Sequence, residues 1–113
     1  MDRDNFCYDM NALFNILYEV RKPAVNVVLY VIQHMQHETS MFFATNKQIA
    51  EDLHLSRSSV TRAMSALQEL DFMRQVAVGQ WMINPRICFW DNINNVITRE
   101  LEFDPALHTV SAE

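Results

Sequence analysis

Residues 45–70 have the sequence TNKQIAEDLHLSRSSVTRAMSALQEL, and this stretch decides the fold. Thr45 is followed three residues later by Gln48, which is the spacing of a capping box at the start of a helix. The apolar residues after this start are Ile49, Ala50 and Leu53. They fall on one face of a helix, and the small side chain of Ala50 allows a second helix to cross closely above it. The stretch therefore opens with a short helix.

A second helix is expected after a turn at residues 54–56. Ser56 is suited to cap its N-terminus, because a serine hydroxyl accepts from free backbone N–H groups there. The apolar residues of this second segment are Val60, Ala63, Met64, Leu67 and Leu70. Their spacing forms a helical stripe and differs from the alternation of a strand. Two short helices joined by a tight turn are the pattern of a helix-turn-helix.

The outer face of the second helix carries hydroxyl and arginine side chains. No acidic residue lies between Arg57 and Gln68, whereas a merely solvated face usually mixes Glu with Lys. Arginine binds guanine edges or phosphates, serine and threonine bond to either, and free N–H groups at a helix start bind anions. We therefore favour a recognition helix over residues 57–70 that enters the major groove of double-stranded DNA. The alternative is a helical pair with a solvated outer face.

A small β wing is expected to follow this helix. Residues 72–78 and 81–83 have the pattern of two strands with a turn at Gly79–Gln80, and residues 41–44 supply a third strand. Arg74, Gln75 and Gln80 are the polar wing residues that could contact the DNA backbone or minor groove, although Arg74 is equally explained as a surface charge. The complete set of predicted DNA contacts is Thr45, Asn46, Lys47, Ser56, Arg57, Ser58, Ser59, Thr61, Arg62, Ser65, Arg74 and Gln80.

The same residues carry a resemblance to known families. Ser-Arg-Ser-Ser-Val at residues 56–60 resembles the start of the recognition helix in winged-helix regulators of the GntR and MarR types. Over residues 45–85, which end in Gln-Trp-Met-Ile-Asn-Pro, the chain resembles the RepL-type plasmid replication proteins. The resemblance implies a winged helix and a role as a plasmid or phage replication protein, or as a small transcriptional regulator. His54 departs from it by standing where such turns often carry Gly, so a strained backbone is expected there.

Length and composition indicate a single domain. The chain has 113 residues, 50% of them hydrophobic, and only one Gly and three Pro, which favours a mainly helical chain with a core that needs no disulfides. We predict a mainly α fold with a small β wing, a winged helix-turn-helix with extra N- and C-terminal helices. The predicted parts of this 1–113 domain are N-terminal helices at 9–37, the helix-turn-helix and wing at 41–85, a C-terminal helix at 87–103 and a frayed tail at 104–113.

Several classes of protein are disfavoured by the sequence. No apolar run approaches the roughly 18 residues that span a membrane, and the polar N-terminus does not resemble a signal peptide. Cys7 and Cys88 lie far apart and are expected to be buried thiols of a cytoplasmic protein. His34 and His37 could form half of a metal site, but no second pair with ligand spacing follows. We predict no enzymatic activity, cofactor or metal, because no catalytic arrangement is recognisable.

The net charge of −5 is unusual for a DNA-binding protein, but its distribution is uneven. Residues 40–99 carry six basic and five acidic side chains, whereas residues 100–113 carry four acidic and no basic ones. A small basic footprint predicts few phosphate contacts per subunit, which a homodimer formed through the N-terminal and/or C-terminal helices would double. The acidic charge also supports a different hypothesis, a winged-helix module that binds proteins and not DNA.

Overall fold

The computed structural model describes residues 5–90 and Phe103. The helices in this part of the chain are α1 (Met10–Glu19), α2 (Lys22–His34), α3 (Asn46–Leu53) and α4 (Arg57–Glu69). The strands are β1 (Phe6–Tyr8), β2 (Met41–Phe43), β3 (Met73–Ala77), β4 (Gln80–Ile83) and β5 (Cys88–Trp90). The fold is mainly α with small antiparallel sheets, as predicted. No helix among the described residues is long and apolar enough to cross a membrane.

The wing forms from the three strands that the sequence predicted. β4 lies in the centre and pairs antiparallel with β2 on one side and β3 on the other. The turn between β3 and β4 is at Val78–Gly79, one residue earlier than predicted, and Gly79 has a φ of +71° that suits glycine. This sheet lies beside the helix-turn-helix of α3 and α4, which gives a winged-helix-like arrangement.

The core lies between α2, α4 and the three-stranded sheet. The apolar stripe of α4 is buried as expected, with Val60 and Leu67 completely inaccessible. α2 packs on α4 and contributes three valines, Val27, Val28 and Val31, which are also inaccessible. Phe42 of β2 and Phe72, which precedes β3, are the largest of the fully buried side chains. One continuous core therefore holds the helix-turn-helix on the N-terminal helices and the sheet.

A second sheet corrects the prediction for the chain ends. β1 and β5 pair antiparallel, with Cys7 opposite Phe89, whereas the sequence predicted a helix from residue 87. The strand is preferred at residues 88–90 because Cys88 is completely buried there and the Trp90 indole N–H donates to the Ile32 carbonyl at 2.9 Å. Phe103 has helical backbone, whereas the rest of the predicted helix, from residue 91 to 102, and the predicted tail at 104–113 lie outside the described residues.

The cysteines near these strands are wholly or partly buried, and the two histidines contact aromatic rings. Cys7 and Cys88 are free thiols, half-buried and buried respectively, and burial raises the pKa of the Cys88 thiol to about 12. The centre of the His34 ring lies 4.3 Å from that of Tyr30, and the His37 ring stacks on the Trp90 ring with 4.4 Å between their centres. No group of three or more His, Cys, Asp or Glu side chains suited to a metal ion occurs among the described residues.

A hydrogen bond between side chains joins α2 to the helix-turn-helix. The Tyr30 hydroxyl donates to Asp52 Oδ2 of α3 at 2.5 Å. Partial burial, followed by this hydrogen bond and the Asp52 charge, raises the pKa of Tyr30 from 10.0 to about 12. Ionising the phenol would place two negative charges side by side, so the bond exists only while Tyr30 is protonated.

We expect Tyr30→Phe to reveal this bond through pH. Because the folded pKa lies above the unfolded one, the stabilising contribution of Tyr30 is complete below pH 10 and disappears as pH rises towards 12. The site is partly solvated, so the contribution at neutral pH should stay below about 1 kcal/mol. The free energy of unfolding is measured with urea at about pH 8 and pH 11. The wild-type protein should be more stable than the variant at pH 8, and this difference should shrink at pH 11. An equal stability difference at both pH values would contradict the dependence on Tyr30 ionisation.

Candidate nucleic-acid interface

A capping box fixes the start of α3, as the sequence predicted. The Thr45 hydroxyl accepts from the Gln48 backbone N–H at 3.1 Å, and the Gln48 side chain accepts from the Thr45 backbone N–H at 2.9 Å. These bonds satisfy donors that a helix start otherwise leaves free. Thr45, a predicted DNA contact, is therefore already engaged in holding α3, whereas its neighbour Lys47 is exposed.

The turn between α3 and α4 has the strained backbone predicted for His54. His54 is left-handed, with φ +56° and ψ +44°, and its N–H donates to the Ala50 carbonyl. The next N–H, of Leu55, donates to the same carbonyl at 3.0 Å. Ser56 then caps α4, because its hydroxyl accepts from the Ser59 N–H at 3.1 Å. This short sequence of bonds sets the angle between the two helices.

The outer face of α4 presents the predicted polar side chains to solvent. Arg57, Ser58, Thr61, Arg62 and Ser65 are all exposed, whereas the opposite face is buried. The Thr61 hydroxyl donates to the Arg57 carbonyl at 2.9 Å and accepts from Asn46 of α3 at 3.4 Å. Asn46 and Thr61 thus link the two helices at the surface where both were expected to meet DNA.

Among residues 5–90 and Phe103, both arginines of this face lack an acidic partner. Within the described residues, neither Arg57 nor Arg62 forms an ion pair, and the Arg62 guanidinium makes only a long 3.5 Å contact with the Ser59 hydroxyl. They lie towards different sides of the face. Arg62 borders a cavity of about 530 Å³ between α4 and the α1–α2 connection, where Glu19 and Glu69 are also found. An exposed guanidinium without an internal carboxylate can bind an external phosphate or base edge.

The two wing candidates differ in their surroundings. Gln80 is exposed at the start of β4, next to the turn. Arg74 on β3 is instead held within the chain, since its Nε donates to the Phe103 carbonyl at 2.7 Å and its guanidinium lies 5.7 Å from the centre of that ring. The structure therefore brings the helix candidates together on one face, and directs Arg74 towards the C-terminal part of the chain.

A groove between α4 and the wing was not anticipated from the sequence. Its volume is about 350 Å³, and the start of α3 closes one side. The polar residues that line it include Asn46, Thr61, Ser65, Gln68, Gln75 and Trp81. Trp81 lies opposite Gln75 in the sheet, so the alternation of the strands could have placed these two, but their closeness to α4 depends on tertiary packing.

Comparison with known proteins points to one family. The family model described as Firmicute plasmid replication protein (RepL) matches residues 8–103. This range contains the N-terminal helices, the helix-turn-helix and the wing, so the likeness extends well beyond residues 45–85. No curated protein and no solved structure matches the chain.

Proposed function

Because the chain belongs to the RepL family of Firmicute plasmid replication proteins, we propose that it binds a specific double-stranded DNA site in plasmid replication. In this proposal α4 enters the major groove, and the chain acts by binding and not by catalysis. The observation that carries it is the exposed polar face of α4, on which Arg57 and Arg62 have no acidic partner within the described residues. The family favours replication over the alternative of a small transcriptional regulator.

The proposed contacts divide by their position along the helix-turn-helix. Arg57 and Ser58 open α4, and the N-terminal residues of a recognition helix are those that reach base edges. Arg62 and Ser65 lie about one and two turns further along α4 and are suited to contact the DNA phosphates beside the major groove. Lys47 near the start of α3 would contact the backbone, as the first helix of such a pair crosses it.

We further propose that two copies bind together through the N-terminal part of the fold. Aromatic and apolar side chains are exposed in a row along β1 and α1, where Tyr18 is 84% exposed and Tyr8 stacks against Phe14. The exposed members of this row are Tyr8, Met10, Phe14 and Tyr18. Burying this row between subunits would remove it from water and would double a small set of phosphate contacts. The predicted C-terminal helix falls mostly outside the described residues.

The proposal predicts site-selective binding that weakens with salt. The protein is titrated with the DNA that flanks its own gene and with a shuffled duplex of equal composition. A dimer with around four phosphate contacts should lose roughly 10²-fold in affinity between about 50 and 200 mM salt. A footprint with two half-sites about one helical turn apart would identify a dimer, whereas a single half-site would contradict it.

Two other outcomes of the titration would overturn the proposal in different ways. Equal affinity for the flanking DNA and the shuffled duplex would remove sequence specificity but keep DNA binding. Failure to bind either duplex at low salt would favour the alternative function, a winged-helix module that binds proteins.

A further inference from the structure

Trp81 has a buried donor without an acceptor. Its side chain lies in the centre of the wing sheet and is only 4% exposed, and its Nε1–H has no hydrogen-bond partner among the described residues. A buried polar group without a partner destabilises the folded chain, so such groups are rare and each needs an explanation, one of which is a bound group that supplies the acceptor. The other tryptophan, Trp90, shows the usual situation, because its indole N–H donates to the Ile32 carbonyl.

Trp81 forms part of the wall of the groove between α4 and the wing. No residue lining this groove carries a charge. Three of its polar side chains, those of Ser65, Gln68 and Gln75, have no hydrogen-bond partner among the described residues. The groove therefore combines unused neutral donors from a helix and from a sheet, and the residue that carries the orphaned indole N–H belongs to the same wall.

A DNA sugar-phosphate strand is the ligand that fits these donors. When a recognition helix lies in the major groove, the two backbones run along its sides, and one of them reaches the space between helix and wing. Phosphate oxygens accept hydrogen bonds from hydroxyl and amide side chains as well as from cations, and such neutral contacts fix the register of the protein on the duplex. A lining without acidic groups is compatible with a negatively charged strand.

We propose that this groove holds one DNA strand and that Trp81 Nε1–H donates to a phosphodiester oxygen of it. The proposal rests on DNA binding as proposed above and adds a sequence-independent contact to it. Since the Nε1 atom is covered in the free protein, the oxygen reaches it through a local shift of the wing. β3 has an irregular register between Gln75, which lies opposite Trp81, and Ala77, and this is where the hairpin can adjust.

The test is the variant Trp81→Phe, which keeps an aromatic ring in the core and removes only the donor and part of the ring. We expect its urea midpoint to fall only slightly, because loss of an unsatisfied donor offsets part of the cost of the cavity that the smaller ring leaves. Its affinity for flanking and shuffled duplexes should fall by the same factor, about tenfold, with an unchanged salt slope because a neutral donor releases no counterion. A structural role alone would leave the affinity of the folded variant for both duplexes unchanged.

Trp90→Phe is the matched control. It removes an indole N–H that has an acceptor, so its urea midpoint should fall while its DNA affinity stays at the wild-type value. The chain has two tryptophans, so this variant also leaves Trp81 as the only one. Its fluorescence should change when either duplex is added, because the surroundings of Trp81 change.

The outcomes separate this proposal from the one on which it rests. Wild-type affinity in folded Trp81→Phe, or an effect confined to the flanking DNA, would overturn the phosphate contact while DNA binding stands. Failure of the wild-type protein to bind any duplex would overturn both. If Trp81→Phe does not fold, Gln75→Ala, at the exposed position opposite Trp81, tests the same groove without touching a contact of the proposed function, and an unchanged affinity for both duplexes would overturn the proposal.

Discussion

Replacing Arg57 and Arg62 together with alanine is expected to weaken binding to the flanking DNA strongly while the protein remains folded. Both side chains are exposed, and neither has an acidic partner within the described residues, so among those residues the variant loses only the long 3.5 Å contact between Arg62 and the Ser59 hydroxyl. Alanine also has a higher helix propensity than arginine. Each arginine contact with a base or phosphate contributes about 1–3 kcal/mol, so the double variant should lose between about 30-fold and 10⁴-fold in affinity.

A charge-matched control makes this result specific. Lys22→Ala with Arg86→Ala removes the same two positive charges from exposed positions outside the helix-turn-helix. We expect that control to bind nearly as tightly as the wild-type protein in the same titration, with circular dichroism confirming that both variants are folded. Wild-type affinity in the Arg57/Arg62 variant would contradict the proposed recognition helix. An equal loss in both variants would show that only the overall charge matters.

Phe72→Ala is expected to have the largest effect on stability. Phe72 is completely inaccessible and lies where α4 passes into the wing, with its backbone N–H donating to the Leu67 carbonyl and its carbonyl accepting from the Asn84 N–H. Removing a buried ring leaves a cavity that costs about 3–5 kcal/mol. A domain of this size is typically stable by only about 5–15 kcal/mol, so much of that stability would be lost.

The comparison for Phe72 comes from the adjoining three-stranded sheet. Phe43 on β2 is also a phenylalanine but is 51% exposed, and Phe43→Ala should cost less than about 1 kcal/mol. Urea unfolding of both variants gives the two free energies directly. Similar losses in the two variants would mean that burial does not distinguish these rings, which would contradict the core described above.

The helix-turn-helix was predictable because its determinants are local. The capping box at Thr45, the cap at Ser56 and the apolar stripe of α4 all depend on residues three or four positions apart, and all are present in the structure. The strained turn at His54 was predicted from the resemblance, because such turns often carry Gly at this position. The wing strands lie within one residue of their predicted limits, since Gly79 marks the turn between β3 and β4.

The β1–β5 sheet was missed because its determinants are distant. Cys7 pairs with Phe89, and each strand has only three residues, too few to show an alternation. The apolar residues after Ile87 fitted a helix equally well, and the prediction of a helix there was wrong at residues 88–90. Only the burial of Cys88 and the hydrogen bond of Trp90 decide for a strand, and both require the folded chain.

The residues of the candidate site show the same difference between local and distant determinants. The exposed side chains of α4 follow from helical periodicity, so Arg57 and Arg62 were identified from sequence. The involvement of Arg74 with Phe103 was not, because it joins positions 29 residues apart. The orphaned N–H of Trp81 is invisible to sequence reasoning in principle, since it depends on the lack of an acceptor in the surrounding structure.

The pairing of β1 with β5 also sets an order of events during synthesis. Cys7 leaves the ribosome long before Phe89, its partner in the sheet. At about 5–20 residues per second, the first strand waits about 4–16 seconds for the last. The three-stranded wing is complete at Ile83 and does not have to wait. A chain truncated before Cys88 would therefore carry the helix-turn-helix, the three-stranded wing and an unpaired strand edge, which is a known starting point for aggregation.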